Sequence, residues 1–440
     1  MIRNALGALD GLLLQAGDAG FDEARTVWNA MVDRHPRAIV RCASVADVVA
    51  AVRAARRMDL EIGVRCGGHS VVGHAVPDGG LMVDLTPLDA VRVDPDRRRA
   101  LVRGGALLGA LDRATQPYGL ATTAGNVSHT GVGGLTLGGG LGWLARRFGL
   151  SCDNVESFEV VTADGRVVRA SADEEPELFW GLRGGGGNFG VVTDFEFRLH
   201  DTGTRTLVVE YTFPLDGAAA VLRAWRDLSA EAPREATFTA FVGEGVAVVG
   251  YIWVGDPEQG RRLLPALKAL GGPAAEKMVE LSYVDLQRRD DSAVGGHAYR
   301  RYWKGHYLYE LPDAAIDELV RHGAPGGLRP GVSLQAYGGA IADVPDDATA
   351  FSHRATRFEY VAGARWTDPA EDGERIAAAR TSAAAIAPYA SGAYVNTLAD
   401  EGEGGVRRAY PPHKLARLAA LKAAFDPDNV FHLNQNITPA

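Results

Sequence analysis

A chain of 440 residues has room for two or three domains, and its 46% apolar content is that of a soluble protein with a sizeable core. A formal net charge of −9 argues against a basic nucleic-acid footprint and against binding to anionic membrane surfaces. Three scattered cysteines (Cys42, Cys66, Cys152) make neither a disulfide framework nor a cysteine-rich zinc site, no run nears the ~20 apolar residues of a membrane span, and residues 1–21 do not read as a signal peptide, so a soluble cytoplasmic protein is expected.

Residues 38–42 read as a short apolar strand. Ser44, with Asp47 three positions on, comes close to a capping box, and Val45, Val48, Val49 and Val52 continue at helical spacing. Residues 60–64 are the next strand, and this β-α-β order predicts a parallel pair with a right-handed crossover. Strands follow at 81–85, 90–93, 100–103, 155–161 and 191–199, with a helix at 105–116 stopped by Pro117 and Gly119. Asp164-Gly165 is a hairpin turn between 155–161 and the run 166–169. Beyond His200, residues 206–213, 237–241 and 246–254 alternate like strands with one wet face. Asp256-Pro257 opens a helix carrying Leu263, Leu264, Leu267 and Leu270, although Pro265 falls inside it. Residues 332–337 and 357–361 read as strands and 414–425 as a closing helix. The fold class is α+β, the later part being built around an antiparallel sheet.

Glycine fills seven of the twelve positions 131–142, with only Val, Leu and Thr between. Backbone bare of Cβ atoms can lie directly against a flat or charged group. A flexible linker would be polar, whereas Leu135, Leu137 and Leu141 call for burial. A second glycine turn, Arg65-Cys-Gly-Gly-His-Ser70, follows a strand, and its successive N–H groups can form an anion nest for a pyrophosphate. A third, Gly184–Gly190, contains a GxGxxG at Gly185, Gly187 and Gly190. A strand follows it where the dinucleotide fingerprint needs a helix, which excludes that reading. One extended cofactor across all three turns is the economical interpretation. HExxH, GxSxG and P-loop patterns are absent from the sequence, no histidine pair has metal spacing, and no metal is expected.

These motifs resemble the FAD-linked oxidases of the vanillyl-alcohol oxidase (PCMH-type FAD-binding) superfamily, in the berberine bridge enzyme-like group. Arg65-Cys-Gly-Gly-His69 is similar to the family's R-x-G-G-H segment, whose histidine is bonded to the 8α-methyl of the flavin. Residues 127–143, 178–190 and 425–437 resemble its flavin-covering, LFWALRGGGGNFG and closing stretches. The resemblance implies a two-subdomain FAD-binding domain over 1–202, a substrate domain over 203–392, its antiparallel sheet covered by helices, and a segment 393–440 returning to the FAD domain. It implies FAD contacts from Arg65, Cys66, Gly67, Gly68, His69, Ser70 and Gly73, and from Gly125, Val127, Thr130, Gly131, Gly133, Gly134, Gly138 and Gly142. Asn188, Gly190, Val192, Asn434 and Asn436 complete the set.

Two departures from the family pattern matter. Some members carry a second flavin bond from a cysteine where this chain has Val127, so a single covalent attachment through His69 is expected. Many relatives read Tyr-x-Asn-Tyr where this chain has Tyr394-Val-Asn-Thr397, so the usual tyrosine base is missing. Tyr394 and Asn396 retain the pattern, and strand alternation would set them on one face with Thr397 on the other. Lys304, His306 and His129 are candidate replacement bases. The expected reaction moves hydride from a small-molecule C–OH or C–N group to FAD and then to O2, giving H2O2. The modest Thr130 beside the flavin favours an oxidase; an FAD-dependent dehydrogenase or a redox-neutral cyclase or lyase are the alternatives. The substrate is expected to be small and aromatic or polycyclic, without nucleic acid or membrane as partner, and the oligomeric state is open.

Overall fold

The computed structural model describes residues 2–294, 296–326 and 328–440. A small sheet near the N-terminus runs in the order Leu12–Leu14, Ala38–Arg41, Leu81–Asp84, Ile62–Arg65. The last three strands are parallel. The predicted parallel pair is therefore split: strands 38–41 and 62–65 each pair with the strand at 81–84, which inserts between them. Alternation and propensity carry no information about such an insertion, because the third strand comes later in the chain. Helix Val45–Arg57 connects the first two strands, and its Ser44/Asp47 capping box forms as the sequence predicts.

An antiparallel sheet follows in the order Val91–Asp94, Arg99–Arg103, Val191–Arg198, Val155–Val161, Val167–Ser171. The predicted hairpin at Asp164-Gly165 joins Val155–Val161 to Val167–Ser171, which pair at the end of the sheet. The glycine run at 131–142 is partly helical, over Val132–Leu137.

The third sheet has seven antiparallel strands, ordered Ala275–Ser282, Arg205–Pro214, Val246–Val254, Ala236–Gly243, Gly331–Ala336, Phe358–Trp366, Arg300–Leu308. Helices Ala218–Ala230, Asp313–His322 and Asp372–Ile386 bury one face of it, with Trp225, Phe358 and Tyr360 at the centre of that core. The other face turns toward the first part of the chain. Thr237 donates to the Trp143 carbonyl at 3.0 Å and Asn126 to Gln335 at 3.2 Å. The leucine stripe at 263–270 is not one helix. It breaks into Pro257–Gly260, a 3-10 turn and Leu264–Lys268, as Pro265 forewarned. The closing helix, Pro412–Phe425, starts two residues earlier than read, because proline at the first helical position loses no hydrogen bond.

Candidate active site

The glycine turns meet in one cleft of about 540 Å³. Strand Ile62–Arg65 delivers the turn 66–70, and Gly104 and Val192 come from the antiparallel sheet. Trp303 comes from the edge strand of the large sheet, and Asn434 from the tail. Gly67 and Gly131 lie back to back: a Cβ on Gly67 would sit 2.3 Å from the Gly131 nitrogen. The two turns can approach this closely only as bare backbone.

Of the residues singled out from sequence, Cys66, Gly67, Gly68, His69, Ser70, Val127, Thr130, Gly131, Gly133, Gly134, Asn188, Gly190, Val192, Tyr394, Asn396 and Asn434 line the cleft. Arg65, Gly73, Gly125, Gly138, Gly142 and Asn436 do not. The Arg65 guanidinium bonds the Ala24 carbonyl. Gly73 packs against Val32, where a Cβ would come within 2.5 Å of a methyl. The Gly125 carbonyl accepts from Gln287 at 2.9 Å. Gly138 and Gly142 are glycine because Asn396 and the Ala124 carbonyl lie 2.1 and 1.6 Å from where a Cβ would stand. Gln435, next to Asn436, takes its place on the wall.

The histidine and lysine candidates divide. Lys304 and His306 project from the sheet face packed on helices. Lys304 pairs with Glu401 at 2.9 Å, and His306 bridges the Ala383 carbonyl at 2.9 Å and Arg408 at 2.7 Å. Burial and Arg408 pull the His306 ring down to about 4, so it is a neutral structural group. His129 sits behind His69, its Nδ1 2.7 Å from His69 Nε2.

His69 itself stacks on Trp28 with centroids 4.8 Å apart and planes 11° off parallel, and its Nδ1 is 3.3 Å from Thr130 Oγ1. Burial, then His129 and Arg301, pull its pKa down to about 3. At neutral pH the ring is uncharged and its nitrogen lone pair available. Trp28, Trp303 and His74 were not singled out from sequence, since a lone tryptophan or histidine in a loop or strand carries no local signature.

Tyr394, Asn396 and Thr397 stand on a 3-10 turn rather than a strand, and all three line the cleft. The Tyr394 phenol oxygen accepts from the Gly140 amide and from Asn396 Nδ2, each at 2.9 Å. The Thr397 hydroxyl donates to the Tyr394 carbonyl at 2.9 Å. Behind Tyr394 lies a buried phenol–carboxyl cluster that sequence reading missed. Tyr307 stacks on Tyr394 at 6.2 Å and pairs across strands with Glu359, whose carboxylate accepts from Tyr337 at 3.1 Å. Burial pushes Glu359 up to about 7.

The site fits a long, flat cofactor by its unfilled glycines. Gly134 and Gly187 both line the cleft, and a Cβ on either would meet no protein atom within 4 Å. Neither chain packing nor, at these two positions, a positive φ calls for glycine there, whereas backbone held against a planar ligand does. Two residues of the same wall carry polar atoms left over by the protein: Asn434 Oδ1 and Trp303 Nε1 are buried without a hydrogen-bond partner among the described residues.

Comparisons with known proteins agree with this geometry. Residues 36–171 match a model described as an FAD binding domain, and residues 393–438 match "Berberine and berberine like". An FAD-linked oxidoreductase of Dictyostelium discoideum is 30% identical across 98% of this chain and 95% of its own. The (R)-6-hydroxynicotine oxidase of Paenarthrobacter nicotinovorans is 31% identical across 98% and 97%. The crystal structure of 6-hydroxy-D-nicotine oxidase from Arthrobacter nicotinovorans superimposes with a TM-score of 0.89 at 29% identity, covering 98% of this chain and 99% of that one. The Physcomitrella patens BBE-like 1 structure gives 0.91 at 25%, covering 100% and 99%. A glycine-walled cleft that fits FAD, held between parts of the chain that match its binding domain and its berberine-like tail, thus makes this chain an FAD-dependent oxidoreductase belonging to the berberine bridge enzyme-like group of FAD-linked oxidases.

Proposed function

We propose that the enzyme is an oxidase holding FAD by one covalent bond to His69, and that it moves hydride from a C–OH or C–N group of a small molecule to FAD and on to O2, giving H2O2. The observation that carries this reading is the neutral His69 ring, clamped flat by Trp28 on the cleft wall with a lone pair to give. Val127 offers no second nucleophile, and burial pushes the nearby Cys66 thiol up to about 11, out of thiolate reach at neutral pH. The small Thr130 side chain on the wall supports access for oxygen. A division into FAD-binding 1–202 with 393–440 and substrate-binding 203–392 accords with the large sheet lying within 205–366. The unpaired cysteines accord with a cytoplasmic setting.

When bound, FAD supplies a ring that accepts hydride and later yields its electrons to oxygen. The protein's part is to place the substrate and hold its proton. Burial raises the Tyr394 phenol's pKa, and the Gly140 N–H and Asn396 donors offset it only in part, so the phenol is a neutral group held in place on the cleft wall. Glu359, raised to about 7 by burial and bonded to Tyr337, lies behind the Tyr394–Tyr307 stack, where its charge acts on the Tyr394 phenol through space rather than through a hydrogen-bond chain. Trp28 and Trp303, 5.3 Å apart on the cleft wall, suit an aromatic or polycyclic substrate.

His69→Ala tests the reading. The variant should bind FAD but release all of it on acid precipitation, where wild-type protein keeps flavin fluorescence on a denaturing gel. An oxygen-electrode screen of alcohols, amines and sugars should then reveal uptake with H2O2. Substrate turnover that bleaches the flavin without oxygen uptake would identify a dehydrogenase instead.

A further inference from the structure

His69 is held at both ring nitrogens, and the two sides differ. Its Nδ1 faces Thr130, which lines the cleft; its Nε2 faces His129, which does not. A neutral imidazole carries one proton. If Nδ1 forms a bond to carbon while the proton stays on Nε2, the ring becomes a cation. The enclosure that keeps His69 neutral, together with His129 and Arg301, opposes that charge. A bond from His69 therefore calls for an acceptor for the Nε2 proton, and the atom 2.7 Å away is His129 Nδ1.

We infer that His129 Nδ1 takes the Nε2 proton as His69 Nδ1 bonds to the 8α carbon of the flavin, leaving the linked ring neutral. This rests on the covalent reading above. His129 is built for the task. Ser128 is pinned to Asp291 through its amide at 3.1 Å and its hydroxyl at 2.6 Å, which fixes the turn that carries His129. Burial lowers the His129 pKa, and the Asp291 carboxylate partly offsets it, steadying the proton that His129 accepts in passing. His129 Nε2 has no hydrogen-bond partner among the described residues, so nothing there locks the ring in the tautomer that would bar Nδ1 from accepting. The balance is one N–C bond formed, one C–H bond broken and two electrons left on the flavin. Molecular oxygen removes those electrons with two protons as H2O2, one proton from the methyl carbon and one from His69 by way of His129.

The experiment uses full-length apoprotein from a riboflavin-starved host, mixed with FAD in air. Bound FAD is read from the visible spectrum, and attached FAD from acid-stable fluorescence and intact mass over time. His129→Ala and the size-conserving His129→Asn should bind FAD yet attach it about a hundredfold more slowly than wild type. Added imidazole should restore the rate of His129→Ala. Attachment at the wild-type rate in either variant overturns the inference. So does a slow His129→Ala that imidazole does not rescue, which would mark His129 as merely structural. Wild-type protein that releases all its FAD in acid overturns the covalent reading itself, a separate result read from a separate sample.

Discussion

Glu359 stands on a strand of the large sheet, buried beside Tyr307 and Tyr337, and its carboxyl ionises near pH 7 rather than 4.5 because burial disfavours the charge. An acid whose pKa is raised on folding binds its proton more tightly in the native state. Stability is therefore full below the unfolded value and falls as pH rises from 4.5 to about 7. For Glu359 the loss amounts to about 3 kcal/mol. Asp112, raised to about 7 by burial, adds a loss of the same sign. Denaturant titrations at pH 5 and pH 8 should show Glu359→Gln shrinking the difference by about 2.5 kcal/mol; an unchanged difference contradicts the assignment. If the Glu359 charge acts on Tyr394, the same substitution should also remove a titration near pH 7 from the rate of flavin reduction by substrate. No sequence motif marks this residue. A single Glu in an apolar strand gains meaning only when a neighbouring strand brings Tyr307, and the end of another brings Tyr337, to it.

At the scale of elements, the glycine turns do two different jobs, and only coordinates separate them. Gly142 is required by the protein: a Cβ there would stand 1.6 Å from the Ala124 carbonyl. Gly142→Ala should cost about 3 kcal/mol or more in a thermal melt of apoprotein. Gly134 is left open by the protein, with nothing within 4 Å of a Cβ. Gly134→Ala should leave apoprotein melting within about 0.5 kcal/mol of wild type while weakening FAD binding by tenfold or more. Equal loss of stability in both would contradict the division. The sequence shows dense glycine and where it falls, but whether a missing Cβ faces backbone or ligand depends on contacts between distant segments. The same limit explains Tyr394 to Thr397. Residue types alone signal the site, but the 3-10 turn that brings all three to the cleft is set by what they pack on.

Across the whole molecule, the cleft exists because segments far apart in the chain are locked together. Lys422, fully buried, pairs with Asp426 at 2.7 Å and donates to the Asn188 and Phe431 carbonyls. That knot ties the closing helix to the third glycine turn and sets Asn434 on the wall. Lys422→Ala would strand the Asp426 charge and should cost about 3–5 kcal/mol, with FAD affinity falling alongside. A melt within 1 kcal/mol of wild type would rule the knot out. The fold class and the three turns were legible from composition, alternation and motif, because each is local. The inserted strand at 81–84, the helix-facing fate of Lys304 and His306, and the Trp28 stack were not, because each is decided by pairing between remote residues. The central proposal is FAD bonded to His69 in that cleft. The visible spectrum of protein purified from a riboflavin-sufficient host, taken before and after acid precipitation and washing, tests it most directly: flavin bands should be present and stay with the pellet. A colourless protein, or a yellow one whose washed pellet is white, would contradict it.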